Sequence, residues 1–430
     1  MIVWIWRDCE PLPFDPNNPR LMRAGMLCAT LAARGHTVRW FCSSFDHYRK
    51  RIRTQAAGRY TLESGVIIEL VEGLGYATNG APRRLLHNAL VARRFTARAE
   101  EIATYLEEKP DLILADLPIS DSAYAAVRLA RQWNVPSVVS IRDLWPDFFV
   151  TFLPPLVGLL AKPLIWNLDR IAKVACAGAD HLVGISGEYL AWGLKKAGRD
   201  RREGDAIIPL GYDPPSGKAR ANALERLYAK GIDPKKDSAI FIGSWGKTYD
   251  LDMLADAASL LQKDENLQFV IAGDGEQGGL FRSRVKGIAN IVLPGWLDRD
   301  EIAALLENGA VALSPYSASA PQGLPNKLFE YMASGLYQIS TLGGEAGRVV
   351  GGSGSGAVVS AGDARGFADA ISVARSSGIG ADRREGIKAY FREHFDAEKV
   401  YGKYAALLEN YAENFVPTNV ADKAKTKQQP

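Results

Sequence analysis

Residues 238–244, SAIFIGS, and 267–273, LQFVIAG, are short apolar runs rich in β-branched and aromatic side chains, each with a glycine at or next to its end. A longer helical pattern lies between them. Such runs read as strands of a parallel sheet, with the helical stretches covering its faces. The alternation continues through NIVLPGW (290–296), AVALSPYS (310–317) and YQISTLG (337–343). It closes with GAVVSA (356–361) and a helix at DARGFADAISVARS (363–376). These residues alone predict one complete α/β unit.

The first half repeats the theme. MIVWIW (1–6) is followed by an amphipathic helix over about Leu21–Arg34, stopped by Gly35, then HTVRWFCS (36–43), VIIELV (66–71), a long helix over about Pro82–Glu108 and DLILAD (111–116). A further helix precedes SVVSIRD (137–143), and HLVGIS (181–186) follows after a long insert. Two Rossmann-like, doubly wound domains facing a cleft are expected, with ligands at the carbonyl ends of the strands. Residues 1–212 form the first domain and 238–395 the second. Asp213–Asp237, with DPPSGKAR and DPKKD around one short helix, reads as the connection. A last helix, 396–415, is expected to pack back on the first domain, ahead of a disordered polar tail, 416–430.

The chain's 430 residues, 47% hydrophobic and 23% charged, exclude a staple-dependent mini-protein and a disordered chain. Lys plus Arg is 52 against 49 Asp plus Glu, a net charge of +3, so no nucleic-acid partner is announced. Cys9, Cys28, Cys42 and Cys176 show no C-x-x-C spacing, which argues against a zinc site or a disulfide framework and for a reducing compartment. The start, MIVWIWRDCE, lacks the features of a signal peptide, so a cytoplasmic protein is expected. Phe148–Trp166 approaches a membrane span in length but contains Pro154, Pro155, Pro163 and Lys162. A spanning helix is not expected there.

The chemistry concentrates in Pro321–Gly335, PQGLPNKLFEYMASG. Pro325 suits a helix start, which places Asn326 and Lys327 in the first turn. Backbone N–H groups, the helix dipole and the Lys327 ammonium could together hold a diphosphate. Glu330, three residues on, could accept hydrogen bonds from sugar or ribose hydroxyls beside it. The plainer alternative is a solvated Lys–Glu pair on a surface helix.

LPNKLFEYMASG resembles the donor-site helix of family 4 glycosyltransferases. RGHTV (34–38), IRDLWPD (141–147), GISGEYL (184–190), IPLGYD (208–213), FIGS (241–244), FVIAGDGE (269–276) and VLPGW (292–296) fall in the order which that family shows. The resemblance implies a GT-B fold, a nucleoside diphosphate sugar as donor, UDP- or GDP-linked, and retention of anomeric configuration without a metal or other cofactor. It implies that Lys327 and Lys247 stabilise the leaving diphosphate while Glu330 holds donor hydroxyls. Gly243, Ser244, Gly273, Asp274, Gly275, Leu324, Pro325 and Asn326 would line the donor site, with Trp296 at the nucleobase edge. Two departures stand out. The family's first glutamate, eight positions before Glu330, is Gln322 here, and Ser244 stands where many relatives have Arg. A catalytically impaired scaffold is therefore the second reading.

Arg142 and Asp143 follow a strand, where α/β folds place functional side chains. Asp143 could orient or deprotonate an acceptor hydroxyl and Arg142 could neutralise phosphate, or the two could form a local ion pair. Gly273, Gly275 and Gly278 spell G-x-G-x-x-G with Asp298 beyond, a dinucleotide fingerprint in an unfavourable position, which keeps an NAD oxidoreductase as a remote alternative. Asp250/Asp252 and Asp298/Asp300 precede helices, whose dipoles carboxylates stabilise. Gly351–Gly356, GGSGSG, reads as a flexible turn. Residues 47–98 hold ten Lys or Arg against three acids, an excess of seven. With 148–173 they suggest either a face resting on anionic lipid at the inner side of the plasma membrane or an ordinary solvated basic helix with a buried hydrophobic insert. The acceptor would then be a saccharide, lipid-linked where that face meets the membrane.

Overall fold

The computed structural model describes residues 1–16, 19–78, 82–147, 155–214, 220–320 and 323–416, without the side chains of 155–160, 220 and 221. Gln322, residues 148–154 of the proposed lipid-facing stretch and most of the tail lie outside the described residues. The chain divides into two compact units, Met1–Leu210 together with the segment beginning at Val400, and Gly211–Lys399.

In the first unit the chain runs β1 (Ile2–Trp6), α1 (Arg23–Ala33), β2 (Thr37–Ser43), β3 (Phe45–Asp46), β4 (Arg51–Ile52), β5 (Gly58–Thr61), β6 (Ile67–Val71), α2 (Pro82–Tyr105), β7 (Leu112–Leu117) and α3 (Ser120–Trp133). It continues through β8 (Ser137–Ile141), α4 (Pro155–Gly178), β9 (His181–Gly184), α5 (Gly187–Ala197) and β10 (Ala206–Ile207). The sheet order is β10-β9-β8-β7-β1-β2-β6-β5. All pairs are parallel except β5 with β6, and β3–β4 form a separate hairpin. These short strands were not expected from the sequence, because their alternation covers too few residues to be read. Trp4, Trp6, Phe41 and Phe95 are fully buried, Trp6 meeting Phe95 edge-on at 5.6 Å. Each such burial contributes about 1.5–3 kcal/mol.

The second unit runs α6 (Arg220–Ala229), β11 (Asp237–Ser244), α7 (Leu251–Leu260), β12 (Leu267–Asp274), α8 (Gly278–Arg284), β13 (Ile291–Val292), α9 (Arg299–Glu307), β14 (Val311–Ser314), α10 (Asn326–Ala333) and β15 (Gln338–Ser340). Then follow α11 (Gly344–Gly352), β16 (Gly356–Val358), α12 (Ala364–Ser376) and α13 (Ile379–His394). Its strands are all parallel, in the order β13-β12-β11-β14-β15-β16. The stretch read as a connection supplies α6, whose Ala223 and Leu227 pack with Ile232, Ile240, Ile242 and Val270 in this unit's core. GGSGSG holds a turn at 353–355, Gly351 and Gly352 ending α11 before it and Gly356 opening β16 after it.

The last helix, α14 (Ala397–Glu413), is held in the first unit by Arg23 over the Tyr404 ring and by Tyr411 stacked on His181 at 3.8 Å. Glu409 accepts from Arg34 and His36 there, and these bonds hold its carboxyl down at about 2. Among the described residues no helix is long and apolar enough to cross a membrane.

Candidate functional site

In each sheet the chain starts at an inner strand, winds outward on one side and returns to the other. The neighbours β1/β7 and β11/β14 are therefore the switch points, where parallel α/β sheets open a crevice at their carbonyl ends.

At the second unit's switch point, α10 follows β14 and lies against β11. Fully buried Tyr331 fixes it: its hydroxyl accepts from Ile242 N at 3.3 Å and reaches Leu313 O at 3.4 Å. Pro325 is the N-cap, extended at φ −74° and ψ 147°, where its missing N–H leaves nothing unpaired. Asn326 opens the helix and Leu324 is buried beneath it. Lys327 in the first turn reaches over Gly243: a Cβ at that glycine would lie 2.9 Å from Lys327 Cε and 3.2 Å from Nζ. Burial lowers the Lys327 pKa from the ordinary lysine value, with Glu330 opposing the shift. No carboxylate pairs with Lys327 among the described residues. Glu330, one turn on, accepts from the Tyr212 hydroxyl at 3.0 Å.

The loops after β11 and β12 complete this edge. Gly273 has φ +122°, and a Cβ there would lie 1.9 Å from Gly243 O, so strand–strand approach alone requires the glycine. The G-x-G-x-x-G pattern has a packing explanation, because a Cβ on Gly275 would meet Trp245 N at 2.6 Å. Gly273 N donates to Gly295 O at 2.8 Å, which brings the loop carrying Trp296, 64% exposed, beside it. Asp274 accepts from Gly275 N and pairs with Arg282. Ser244 ends β11, and Lys247, with a 78% exposed side chain, pairs with Glu276 at 3.4 Å. Asp250 caps α7 and Asp298 closes a capping box on α9, so both acidic pairs serve helix starts.

The first unit's switch point is built differently. Arg142, after β8, donates to Glu10 and, at 3.1 Å, to Asp116 in β7. Arg7 pairs with Glu10 at 3.2 Å and with Asp116 at 3.6 Å. Glu10 also accepts from Ala24 N at 2.9 Å. Arg142 is thus held by two buried carboxylates and not by Asp143, the partner a local pair would require. Burial raises the Asp143 pKa, while its Oδ1 accepts from Leu144 N at 2.9 Å. Beside them Asp8 accepts from Ser43 and pairs with buried His87 at 3.2 Å; burial works against its charge, but these bonds bring it to about 2. Glu10, Asp116, Asp8 and His87 did not emerge from the sequence. A usable signal was the acid-rich RDCE directly after the first strand and an aspartate inside the apolar DLILAD.

Residues 22–202 match the family described as glycosyl transferase 4-like domain, and 236–375 the one described as glycosyl transferases group 1. The chain is a glycosyltransferase of the group 1 type. Among solved structures it resembles a sucrose-phosphate synthase from Thermosynechococcus elongatus, at 16% identity over 95% of this chain and 98% of that one, TM-score 0.68. HepE of Anabaena in complex with UDP-glucose matches at 15% over 95% and 100%, TM-score 0.65. An E. coli protein titled trehalose-6-phosphate, bound with UDP-2-fluoro glucose, matches at 13% over 97% and 100%, TM-score 0.67. These likenesses establish the GT-B fold. Curated protein sequences give no match to this glycosyltransferase.

Several cations of the basic stretch 47–98 are paired, one of them with an acid outside it. Arg53 is buried against Asp15 at 2.7 Å, Arg59 and Arg98 share Glu69, and Arg94 pairs with Glu72.

Proposed function

We propose that this glycosyltransferase is of the family 4 kind and moves a sugar from a uridine or guanosine diphosphate donor to a saccharide or lipid-linked saccharide, with retention, in polysaccharide or glycoconjugate assembly. The observation that carries this reading is the Lys327 ammonium, unpaired by any carboxylate among the described residues, over Gly243 at a switch point and one helical turn from Glu330. Such a placement suits a diphosphate beside a sugar: the ammonium and the start of α10 hold the phosphates, and Glu330 accepts from sugar hydroxyls. The sugar C1–O bond to phosphate breaks, C1 bonds to the acceptor oxygen, and the acceptor's proton passes to the leaving phosphate. Charge on that phosphate is what Lys327 stabilises, aided by Lys247; no resident metal is assigned to the step. Gln322 is assigned to the sugar as a neutral hydrogen-bonding group, and Asp143 to orienting the acceptor hydroxyl. Arg142 acts through Glu10 and Asp116, as support for the loop bearing Asp143. HepE and the E. coli protein are titled as complexes with UDP-glucose or UDP-2-fluoro glucose, which favours uridine. Exposed Leu86, Leu164 and Trp166 beside Arg83 and Arg170 favour a lipid-facing surface on the first unit.

A thermal-shift panel with UDP, GDP, ADP and NAD tests the reading, since a ligand that binds the folded state raises the melting temperature. One nucleoside diphosphate should stabilise the protein and lose that effect in Lys327→Ala. A shift with NAD alone would replace the transferase donor with a nicotinamide cofactor.

A further inference from the structure

In the first unit, beside the closed set of ion pairs, cations and rings gather at the carbonyl ends of β2 and β6. The hairpin β3–β4 turns at residues 47–50, with His47 and Lys50 at the two ends of the turn. Tyr76 follows β6, Arg84 lies in the first turn of α2, and Trp145 follows β8. The Tyr76 hydroxyl meets His47 Nδ1 at 2.6 Å, and the Lys50 ammonium approaches the same nitrogen at 3.4 Å. An ammonium has only protons to give, so Nδ1 accepts and the imidazole is neutral, with its proton on Nε2. Lys50 Nζ lies 4.9 Å from the centre of the Tyr76 ring, and the Arg84 guanidinium 5.7 Å from that ring and 4.9 Å from the Trp145 ring. Lys50 holds a left-handed backbone, φ +53°, which costs a lysine more than a glycine. Tyr76 and Trp145 are buried, while His47, Lys50 and Arg84 remain partly exposed. Burial, Lys50 and Arg84, with a smaller push from Arg7, bring the His47 pKa down to about 4 against the opposing charge of Asp8. Burial and Arg84 lower Lys50 as well. These groups destabilise one another's charge, and a bound anion would relieve them.

We propose that His47, Lys50 and Arg84 hold a phosphate group carried by the acceptor, so that the sugar is transferred to a phosphorylated or diphosphate-linked saccharide. The inference rests on the transferase reading given above and adds a charge to its acceptor. The set offers three kinds of donor: the Nε2–H of a neutral imidazole, an ammonium and a guanidinium fork. Donors arriving from a hairpin turn and a helix suit the several oxygens of a tetrahedral phosphate, whereas a planar carboxylate is matched by one guanidinium alone. The Arg84 charge also acts on the Asp143 carboxyl, opposing the burial that raises its pKa. Arg84 therefore stands within electrostatic reach of both His47 and Asp143. One acceptor can place its phosphate at the first and a hydroxyl at the second.

The test is calorimetric titration of the full chain with glucose 6-phosphate, geranyl diphosphate and glucose, in a Lys327→Met background that removes the ammonium of the second unit. At least one of the two phosphate ligands should bind there more tightly than glucose. Adding Lys50→Met or Arg84→Gln should weaken it by about 10-fold or more, the worth of a hydrogen bond to a charged group. The tighter ligand names the source, glucose 6-phosphate a phosphorylated sugar and geranyl diphosphate a lipid-linked one. No binding of either phosphate in that background, or binding that both added substitutions leave unchanged, would overturn the proposal. The donor reading fails separately, where UDP binds the Lys327→Met variant as well as the unaltered protein. A second measurement needs no substitution at the cations: the His47 ring, assigned in proton NMR by its loss in His47→Gln, titrates at about 4 without ligand. The bound phosphate ligand should raise that midpoint by about one pH unit or more, as an anion within reach of an imidazole does. An unmoved midpoint at saturation would place the phosphate elsewhere and overturn the assignment.

Discussion

In the first unit the switch point between β1 and β7 is filled by charges that answer one another, Arg7 and Arg142 against Glu10 and Asp116. In the second, the switch point between β11 and β14 has glycine backbone and an ammonium that no carboxylate pairs with among the described residues. The two sheets share one topological rule and differ in what their first loops carry. A closed set of buried ion pairs has no charge left for a ligand, and losing one member exposes the others to an apolar surround. An ammonium over glycine backbone is poorly solvated by its own protein, and an arriving anion supplies the missing partner. The difference teaches that position in an α/β sheet nominates a site, whereas unanswered charge selects it.

The sharpest way to break this comparison is to remove a carboxylate from the closed network. Glu10→Gln leaves Arg142 and Arg7 facing Asp116 alone, and should cost about 3–5 kcal/mol in urea unfolding of the first unit. Burial by itself would raise the Glu10 pKa, but Arg142 and Arg7 overcome it, and the carboxyl lies below its ordinary value. Its contribution is therefore complete above the ordinary carboxylate range and is lost as pH falls through the lowered value. A change under about 1 kcal/mol would mean that the network is not what holds these loops.

Lys327→Met is the counterpart. It should weaken nucleoside diphosphate binding by about 10- to 100-fold, the loss of one or two charge-assisted contacts, while leaving unfolding within about 0.5 kcal/mol. A large stability loss with unchanged binding would exchange the roles assigned to the two switch points.

Much of this was legible in the sequence, and the reason is periodicity. β11, β12 and β14 are apolar runs buried on both faces, and α10 begins at the proline that marks a helix start. The resemblance of LPNKLFEYMASG to a donor-site helix points to Lys327 and Glu330 without any geometry. What stayed hidden was partnership at long range. Glu10 meets Arg142 from 132 positions away, and Tyr212 meets Glu330 from 118, separations at which no local pattern constrains the pair. The excess of basic residues in 47–98 is trimmed for the same reason, since Arg53 is paired with Asp15, outside that window.

The smallest expected effect sharpens the comparison through pH. Burial lowers the Lys327 pKa, so the folded chain releases its proton at a lower pH than the unfolded chain, whose lysine titrates near about 10.4. Between the two values the unfolded state binds more protons, and stability rises with pH, by no more than about 1.4 kcal/mol per pH unit. Nucleoside diphosphate affinity should fall across the same window, because the anion binds the ammonium. The two slopes thus oppose each other, whereas at Glu10 protonation costs stability with no ligand involved. Lys327→Arg keeps a cation that does not titrate there, so both slopes should flatten below the ordinary lysine value. Matched slopes in the unaltered protein and the arginine variant would move the titrating group elsewhere and remove Lys327 from the anion's contacts.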